Sequence, residues 1–480
     1  MVFSSLLFLF AFLPVTLCVY WATPARYRNF TALLASAVFY AWGAPRFLFL
    51  LVGSTAIDYA VGRGLAHTAA ADTRRRHELL AVGVIVNLGV LIYFKYANFF
   101  VADINALLGG CGLSPLAWAD IALPIGISFF TFHKLSYLID VYRGTVEPAR
   151  SWRDYLLYIL LFPQLIAGPI IRYHDVAAQF ERRQIPVERV FSGFLRFAAG
   201  LGKKVLIANT LATGADLVFS ARPATLAPLD AWLGVLCYSF QIYFDFSGYS
   251  DMAIGLGRMM GFAFLENFNH PYIARSFTDF WRRWHISLSN FMREYLYIPL
   301  GGNRGSRFRT YLNLWLVFFL SGLWHGAAWT FVVWGSYHGL FMTLDKLAGS
   351  LRLRKLPAWL ALPLTFGLVA IGWVFFRADS LPQALSLLQR MLVAPWMRAA
   401  AGAATLPQAL GSDVWTALGA AALLSFLPAL PWRPRIDLRP AASGVVWLTA
   451  GRFAAAVVVL ILSAAALASG GFNPFIYFRF

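Results

Sequence analysis

Leu312-Asn313-Leu314-Trp315-Leu316-Val317-Phe318-Phe319-Leu320-Ser321-Gly322-Leu323-Trp324-His325-Gly326-Ala327-Ala328-Trp329 carries one ionisable side chain, His325, through an otherwise apolar run. An ionisable group at bilayer depth costs about 3 kcal/mol or more, so such groups line a bundle interior or a watery cavity and act there. His325 is therefore a candidate functional residue. The apolar run extends from Tyr311 to Asp345 and is flanked by basic residues, Arg304, Arg307 and Arg309 before it and Lys346 to Lys355 after it. Both ends are predicted on the cytoplasmic side. Two helices of about 17 residues would barely span the hydrocarbon, so His325 marks either a turn or a break within the membrane.

The rest of the chain has the same character. Of its 480 residues 59% are hydrophobic and 13% charged, against about 25% charged in soluble proteins. Repeated apolar runs long enough for spanning helices predict an all-α polytopic membrane protein. Val2 to Trp21 lacks a basic leader and a small-x-small cleavage site, and is read as a retained first helix. Cys18, Cys111 and Cys237 lie too far apart in sequence to suggest a disulfide framework or a zinc site. The formal charge of +18 sits in short loops between apolar runs. That distribution faces anionic lipid headgroups and speaks against nucleic acid as a partner.

Loop charge sets the topology. Basic loops at Arg26 to Arg28, Arg63 to His77 and Arg143 to Arg153 fall on the cytoplasmic side when the N-terminus is outside, and the stretch from Ala102 to Asp120, with Asp103 and no Lys or Arg, falls outside. Leu156 to Ile171, interrupted by Pro163 and Gly168-Pro169, joins two basic loops. It reads as a re-entrant hairpin, since broken backbone at membrane depth must be enclosed by protein or line a cavity. Val190 to Phe219 and Leu233 to Gly261 cross out and back. Phe262 to Arg309 mixes arginines with Phe, Trp and Tyr, as interfacial helices do. Pro357 to Phe376, Trp415 to Leu430 and Gly444 to Ser469 complete the crossings, with an amphipathic helix at Leu381 to Met391 and a basic loop at Arg433 to Arg439. The expected architecture is about 11–12 transmembrane helices plus re-entrant and interfacial helices, in one domain over residues 1–480.

Several polar residues invite a chemical reading. His67 and Asp72 have a His-x-x-x-x-Asp spacing known from soluble-type acyltransferases, but they lie in an Arg-rich loop and are read as solvated. His133, His174 and His270 fall near expected membrane boundaries, where an imidazole bonds to backbone or water. No histidine pair has metal-ligand spacing, so no metal is expected. His285, in Trp281-Arg282-Arg283-Trp284-His285-Ile286-Ser287, sits in a run suited to gripping an anionic group at a cavity mouth. Asp245 and Asp251 lie in or near a crossing, where Arg or His partners are expected. For His325 the residues leave two readings open, a catalytic base or an interhelical hydrogen bond.

These strings together resemble the membrane-bound O-acyltransferase family, and within it the bacterial alginate O-acetyltransferase branch. The resemblance is carried by Pro124-Ile125-Gly126-Ile127-Ser128-Phe129, Phe162-Pro163-Gln164-Leu165-Ile166-Ala167-Gly168-Pro169, Tyr243-Phe244-Asp245-Phe246-Ser247-Gly248-Tyr249-Ser250-Asp251, Phe280 through Ser289, Tyr295 through Arg304, Leu323-Trp324-His325-Gly326-Ala327, Trp373 through Ala378 and Pro474-Phe475-Ile476-Tyr477-Phe478. It spans nearly the whole chain. It implies helices around a central funnel, an acyl group moved onto a hydroxyl, and His325 as the essential residue. His285 matches the second family position. Trp281, Arg282, Arg283, Trp284, Ser287, Trp324 and Asp245 are the expected substrate-binding side chains.

The chemistry follows from what an alcohol needs to attack a thioester. A base must take its proton, and a neutral imidazole suits that task; an acetyl-histidine or acetyl-serine relay is a variant the residues leave open. The expected donor is acetyl-coenzyme A, with no bound cofactor. The resemblance implies a multi-pass protein of the bacterial inner membrane, in contact with lipid. It also implies a periplasmic acetyltransferase partner and exopolysaccharide assembly proteins. Peptidoglycan or cellulose acetylation, or D-alanyl transfer to teichoic acid, are the alternatives within the family. A transporter or flippase, suggested by broken helices near Pro163 and Gly322, is the alternative of another class.

Overall fold

A computed structural model of the chain describes residues 1–351, 356–392, 406–430, 446–470 and 475–476. The described residues form helices and loops without strands. In chain order the α-helices are α1 (Leu13–Ala22), α2 (Arg28–Gly43), α3 (Pro45–His67), α4 (Thr73–Gly110), α5 (Ile127–Arg143), α6 (Trp152–Leu160), α7 (Phe162–Leu165), α8 (Tyr173–Glu181), α9 (Val187–Gly202) and α10 (Asn209–Ser220). There follow α11 (Pro228–Met259), α12 (Phe277–Trp281), α13 (Ile286–Met292), α14 (Arg307–His325), α15 (Trp329–Ser350), α16 (Ala358–Arg377), α17 (Leu381–Leu392), α18 (Leu406–Ala409), α19 (Ser412–Phe426) and α20 (Val446–Ser469). Among the described residues five stretches are long and apolar enough to cross a membrane, Pro45–His67, Thr73–Gly110, Ala358–Arg377, Ser412–Ala429 and Thr449–Ser469, and a shorter apolar helix covers Phe8–Ala22. The protein is an all-α membrane protein. The amphipathic helix expected at Leu381 to Met391 is α17. The basic loop at Arg433 to Arg439 lies outside the described residues, as does part of Lys346 to Lys355.

The chain, expected to be one domain, packs as two compact units. One comprises Met1–Phe194 with Ala253–Leu265, the other Leu195–Met252 with Glu266–Phe480.

In the first unit the polar side chains of membrane helices meet one another. Lys134 on α5 lies 3.5 Å from Asp58 on α3 and donates to Ser54 at 2.5 Å, while Asn87 on α4 donates to Asp58 at 2.5 Å. All four side chains are buried. Such pairing is what makes charge tolerable in an apolar interior. His133, expected at a boundary with backbone or water beside it, is instead wholly buried on α5. Neither of its ring nitrogens has a hydrogen-bond partner among the described residues, and the ring packs against Tyr158 at 5.6 Å. The His67–Asp72 spacing is a loop feature: Asp72 caps α4 by accepting the Arg75 N–H at 3.1 Å, and His67 lies exposed beside Arg63 at 3.3 Å.

The re-entrant expectation over Leu156 to Ile171 corresponds to two short helices, α6 and α7, separated at Leu161 ahead of Pro163. Residues 157–171 are buried throughout, so the irregular backbone is enclosed by protein. Side chains satisfy part of it, with Ser36 accepting from Phe162 N–H at 3.1 Å and Tyr158 donating to Ile171 O at 2.8 Å.

In the second unit α14 and α15, of 19 and 22 residues, form an antiparallel hairpin. At 1.5 Å per residue they are about 28 and 33 Å long. His325 ends α14, and Gly326 and Ala328 are extended, so it stands at the turn of the hairpin. The two backbones touch. A Cβ on Gly322 would stand 2.4 Å from Phe331 O, and one on Gly335 would stand 2.4 Å from Phe318 O. Small residues at both positions allow the approach.

Two predictions follow from these contacts. Gly322→Ala is expected to cost about 1–3 kcal/mol through overpacking, seen as a lower melting temperature in detergent; an unchanged melting temperature would contradict a hairpin held by backbone contact. His174 on α8, 2.7 Å from Asp140, is raised from 6.5 to about 9 by hydrogen bonds to Asp140 and then Asp175. Its stabilisation is complete below pH 6.5 and is lost as pH rises through about 9. Melting measured across that window should fall in the wild type and flatten in His174→Gln, and equal slopes would refute the linkage.

Candidate active site

The site lies in the second unit and starts with a strained residue. His285 precedes α13 with a φ of 44°, a left-handed conformation that costs a non-glycine residue about 1–2 kcal/mol. Asn267 holds it there. Ile286 N–H donates to Asn267 O at 2.9 Å, and Ser287 N–H and Oγ–H both donate to Asn267 Oδ1, at 3.2 and 2.9 Å. His285 Nδ1 lies 3.1 Å from the same oxygen. The Asn267 amide nitrogen donates to Ser250 at 3.1 Å, so Oδ1 faces the histidine. An amide oxygen only accepts, hence His285 carries its hydrogen on Nδ1 and presents a lone pair at Nε2. Burial pushes this imidazole down to about 3, which keeps it neutral at physiological pH.

His325 is 97% withdrawn from solvent at its 3% exposure and stands among aromatic rings. Trp324 lies 4.8 Å away, Trp334 4.9 Å and Phe376 5.3 Å, all edge-on. The His285 ring packs 6.3 Å from the same Trp324 and 4.6 Å from Phe246. One indole thus adjoins both histidines.

A cavity of about 630 Å³ opens beside this aromatic cage, lined by residues of 278–303 and of the α14–α15 hairpin. Trp281, Arg282, Arg293, Tyr297, Asn303, Ser321 and Lys346 are on its wall, and neither His285 nor His325 is. Ser321 precedes His325 by about one helical turn, four residues or about 6 Å along α14. Three cations and no carboxylate line the cavity; Arg293 pairs with Glu294 at 3.2 Å, so the charge that favours an anion there rests on Arg282 and Lys346. Thr278 N–H donates to Asp345 at 2.8 Å, tying the start of α12 to the end of α15 beneath this wall.

The sequence-predicted residues divide into two groups. Trp281 and Arg282 line the cavity, and Trp324, His285 and His325 form the cage. The others are engaged with the protein. Arg283 pairs with Asp279 at 2.8 Å and donates to Asn269 O at 3.3 Å. Trp284 is buried among Phe268, Phe280 and Trp373 at 5.1, 5.5 and 4.9 Å, and Ser287 is spent on Asn267. Asp245 pairs with Lys204 at 2.5 Å and accepts the Ile476 N–H at 2.8 Å, a lysine where an arginine or histidine was expected. Asp251 meets Arg196 at 2.6 Å and Lys203 at 2.7 Å.

Two residues escaped the sequence reading. Asn267 gave no local signal, because its partners stand 18 and 20 positions away. His338, wholly buried on α15, accepts the Trp281 indole N–H at 3.2 Å. Its signal was the one that singled out His325, an imidazole in the same apolar run.

The chain is similar to known proteins over most of its length. The profile of the membrane-bound O-acyltransferase family matches residues 126–376. The chain is 50% identical to "Probable alginate O-acetylase AlgI" of Pseudomonas aeruginosa over 82% of its own length and 75% of that protein. It is 44% identical to the protein of the same name from Azotobacter vinelandii, over the full length of both. It is 39% identical to "Peptidoglycan O-acetyltransferase" of Helicobacter pylori, over 82% of this chain and 80% of that one.

Asn267→Leu should leave buried donors of His285 and Ser287 without an acceptor, at about 1–3 kcal/mol each. Chemical or thermal unfolding reads this directly, and a variant as stable as the wild type would refute Asn267 as the anchor.

Proposed function

The chain belongs to the membrane-bound O-acyltransferase family, and on that premise we propose that it takes an acetyl group from cytoplasmic acetyl-coenzyme A for O-acetylation of an exported polysaccharide, alginate in the first instance. One observation carries the reading: His325 stands in an aromatic cage one helical turn beyond Ser321 on the wall of a cation-lined cavity. Coenzyme A is rich in phosphate, and Arg282 and Lys346 offer it charge at that wall. The basic flanks of the hairpin favour the cytoplasm for that end of α14 and α15. The alginate acceptor is supported by the names of the Pseudomonas and Azotobacter relatives.

His325 acts as general base. The acceptor hydroxyl gives its proton to the imidazole as its oxygen bonds to the thioester carbonyl carbon; the carbon–sulfur bond then breaks and the thiolate takes the proton. His285, fixed by Asn267 with its lone pair at Nε2, shares the Trp324 indole with His325 and helps to orient the reacting groups. The protein works in the bacterial inner membrane, and an extracytoplasmic acetyltransferase with exopolysaccharide assembly proteins completes delivery. A peptidoglycan acceptor is the second reading, favoured by the Helicobacter relative.

His325→Ala, inserted normally in the membrane, should lower acetyl transfer to the polymer at least 100-fold, the lower range of what a positioned base contributes. Polymer acetyl content in cells carrying only this variant is the measurement, and unchanged content would remove His325 from the mechanism.

A further inference from the structure

α4 is longer than a bilayer requires. Its 38 residues reach about 57 Å at 1.5 Å per residue, against a hydrocarbon thickness of about 30 Å. Even tilted by about 40° the helix covers about 44 Å along the membrane normal. The apolar run starts at Leu79, after Arg74, Arg75, Arg76 and Glu78, so about 20 residues bring it across the hydrocarbon to Asn98 and the surplus lies beyond. Loop charge puts that end outside.

The chain returns along this projection and is pinned to it. Asn98 and Asn105, seven residues apart, share one face of α4. Asn105 accepts the Leu116 N–H at 2.7 Å and donates to Leu116 O at 3.2 Å. Asn98 treats Ile121 in the same way, accepting and donating at 3.0 Å, and also accepts the Trp118 indole N–H at 2.9 Å. Each amide stands in for a strand partner to a stretch that has no regular structure of its own. Tyr40 holds the end of the loop by donating to Ile125 O at 3.2 Å. A loop fixed in this way has little conformational freedom left to lose on binding.

The fixed surface is apolar. Leu113, Leu116 and Trp118 are 58%, 51% and 43% exposed, beyond the depth that lipid tails cover. From Tyr96 to His133 the chain carries Asp103 and Asp120 and no Lys or Arg. A second copy would bring this patch against itself, carboxylate against carboxylate. Its complement is an apolar patch with Lys or Arg at the rim, on a protein outside the membrane.

We propose that residues 113–121, held by Asn98 and Asn105, are the docking surface for a soluble extracytoplasmic protein that meets them with an apolar patch rimmed by lysine or arginine. The inference rests on the proposed transfer to an exported polymer, which needs a protein outside to complete delivery, and names the surface where that protein sits.

The full chain is expressed in its own cells with Leu113 replaced by the photo-crosslinker p-benzoylphenylalanine, and adducts are identified by mass spectrometry after irradiation. Polymer acetyl content is measured in parallel. The expected adduct is a soluble extracytoplasmic protein whose deletion lowers acetyl content as far as His325→Ala does. Adding Leu116→Lys or Asp120→Lys should cut adduct yield at least about fivefold, the loss expected of one energetically significant interface side chain. Acetyl content should fall with it, while His325-dependent thiol release from acetyl-coenzyme A by the purified variant in lipid vesicles stays at the wild-type level. Both positions are exposed, so membrane levels of the protein should hold; if Leu116→Lys does not accumulate, Asp120→Lys decides. No adduct, or an adduct only with lipid, with a second copy of this chain or with a cytoplasmic protein, overturns the proposal. An adduct indifferent to both substitutions overturns it as well. If wild-type and His325→Ala cells carry equally acetylated polymer, the proposed function fails, and the docking surface is then decided by whether the substitutions weaken the adduct.

Discussion

The contact of two helix backbones at Gly322 and Gly335 is the constraint on which the rest of the candidate site depends. With side chains there, α14 and α15 would have to separate, since a Cβ at either glycine falls within 2.4 Å of a carbonyl oxygen of the other helix. Separation would move Trp334 away from His325 and Ser321 away from the wall that α15 completes with Lys346. Close approach therefore does more than stabilise a hairpin. It sets His325, the last residue of α14, among rings contributed by α14, α15 and α16.

Around that hairpin several polar groups are paired closely. Asn267 gathers the backbone and side chain of Ser287 and the ring of His285 on one oxygen. Asp279 takes Arg283, Asp245 takes Lys204, and Asp251 takes Arg196 and Lys203. The cations on the cavity wall, Arg282, Arg293 and Lys346, have no carboxylate among the other lining residues. The result is a contrast in surroundings: a cation-lined cavity, and beside it an aromatic cage around the His325 imidazole.

Much of this was legible locally. An imidazole in an apolar run marks itself, because no other placement of the run avoids the cost of solvating charge. Pro163 and Gly168-Pro169 announced broken backbone, and Trp281 and Arg282 in an aromatic, basic run announced the cavity wall. Arg283 and Trp284 carried the same local pattern and yet turn inward, one to Asp279 and Asn269, the other to Phe268 and Trp373. A run of alternating cations and rings cannot say which member faces the cavity. Asn267 and His338 stayed hidden because their meaning lies in a partner, His285 or Trp281, 18 or 57 residues away.

By itself, then, the sequence determined the membrane setting, the all-α class and the family, since these depend on hydropathy, loop charge and local strings that need no partner to be read. Only the tertiary structure decided that His325 sits at the turn of a helical hairpin, that Asn267 sets the tautomer of His285, and that His338 accepts from Trp281. Those outcomes depend on distances between residues remote in sequence, and hydrogen bonds and backbone contacts fall off too steeply with distance for any pattern along the chain to stand in for them.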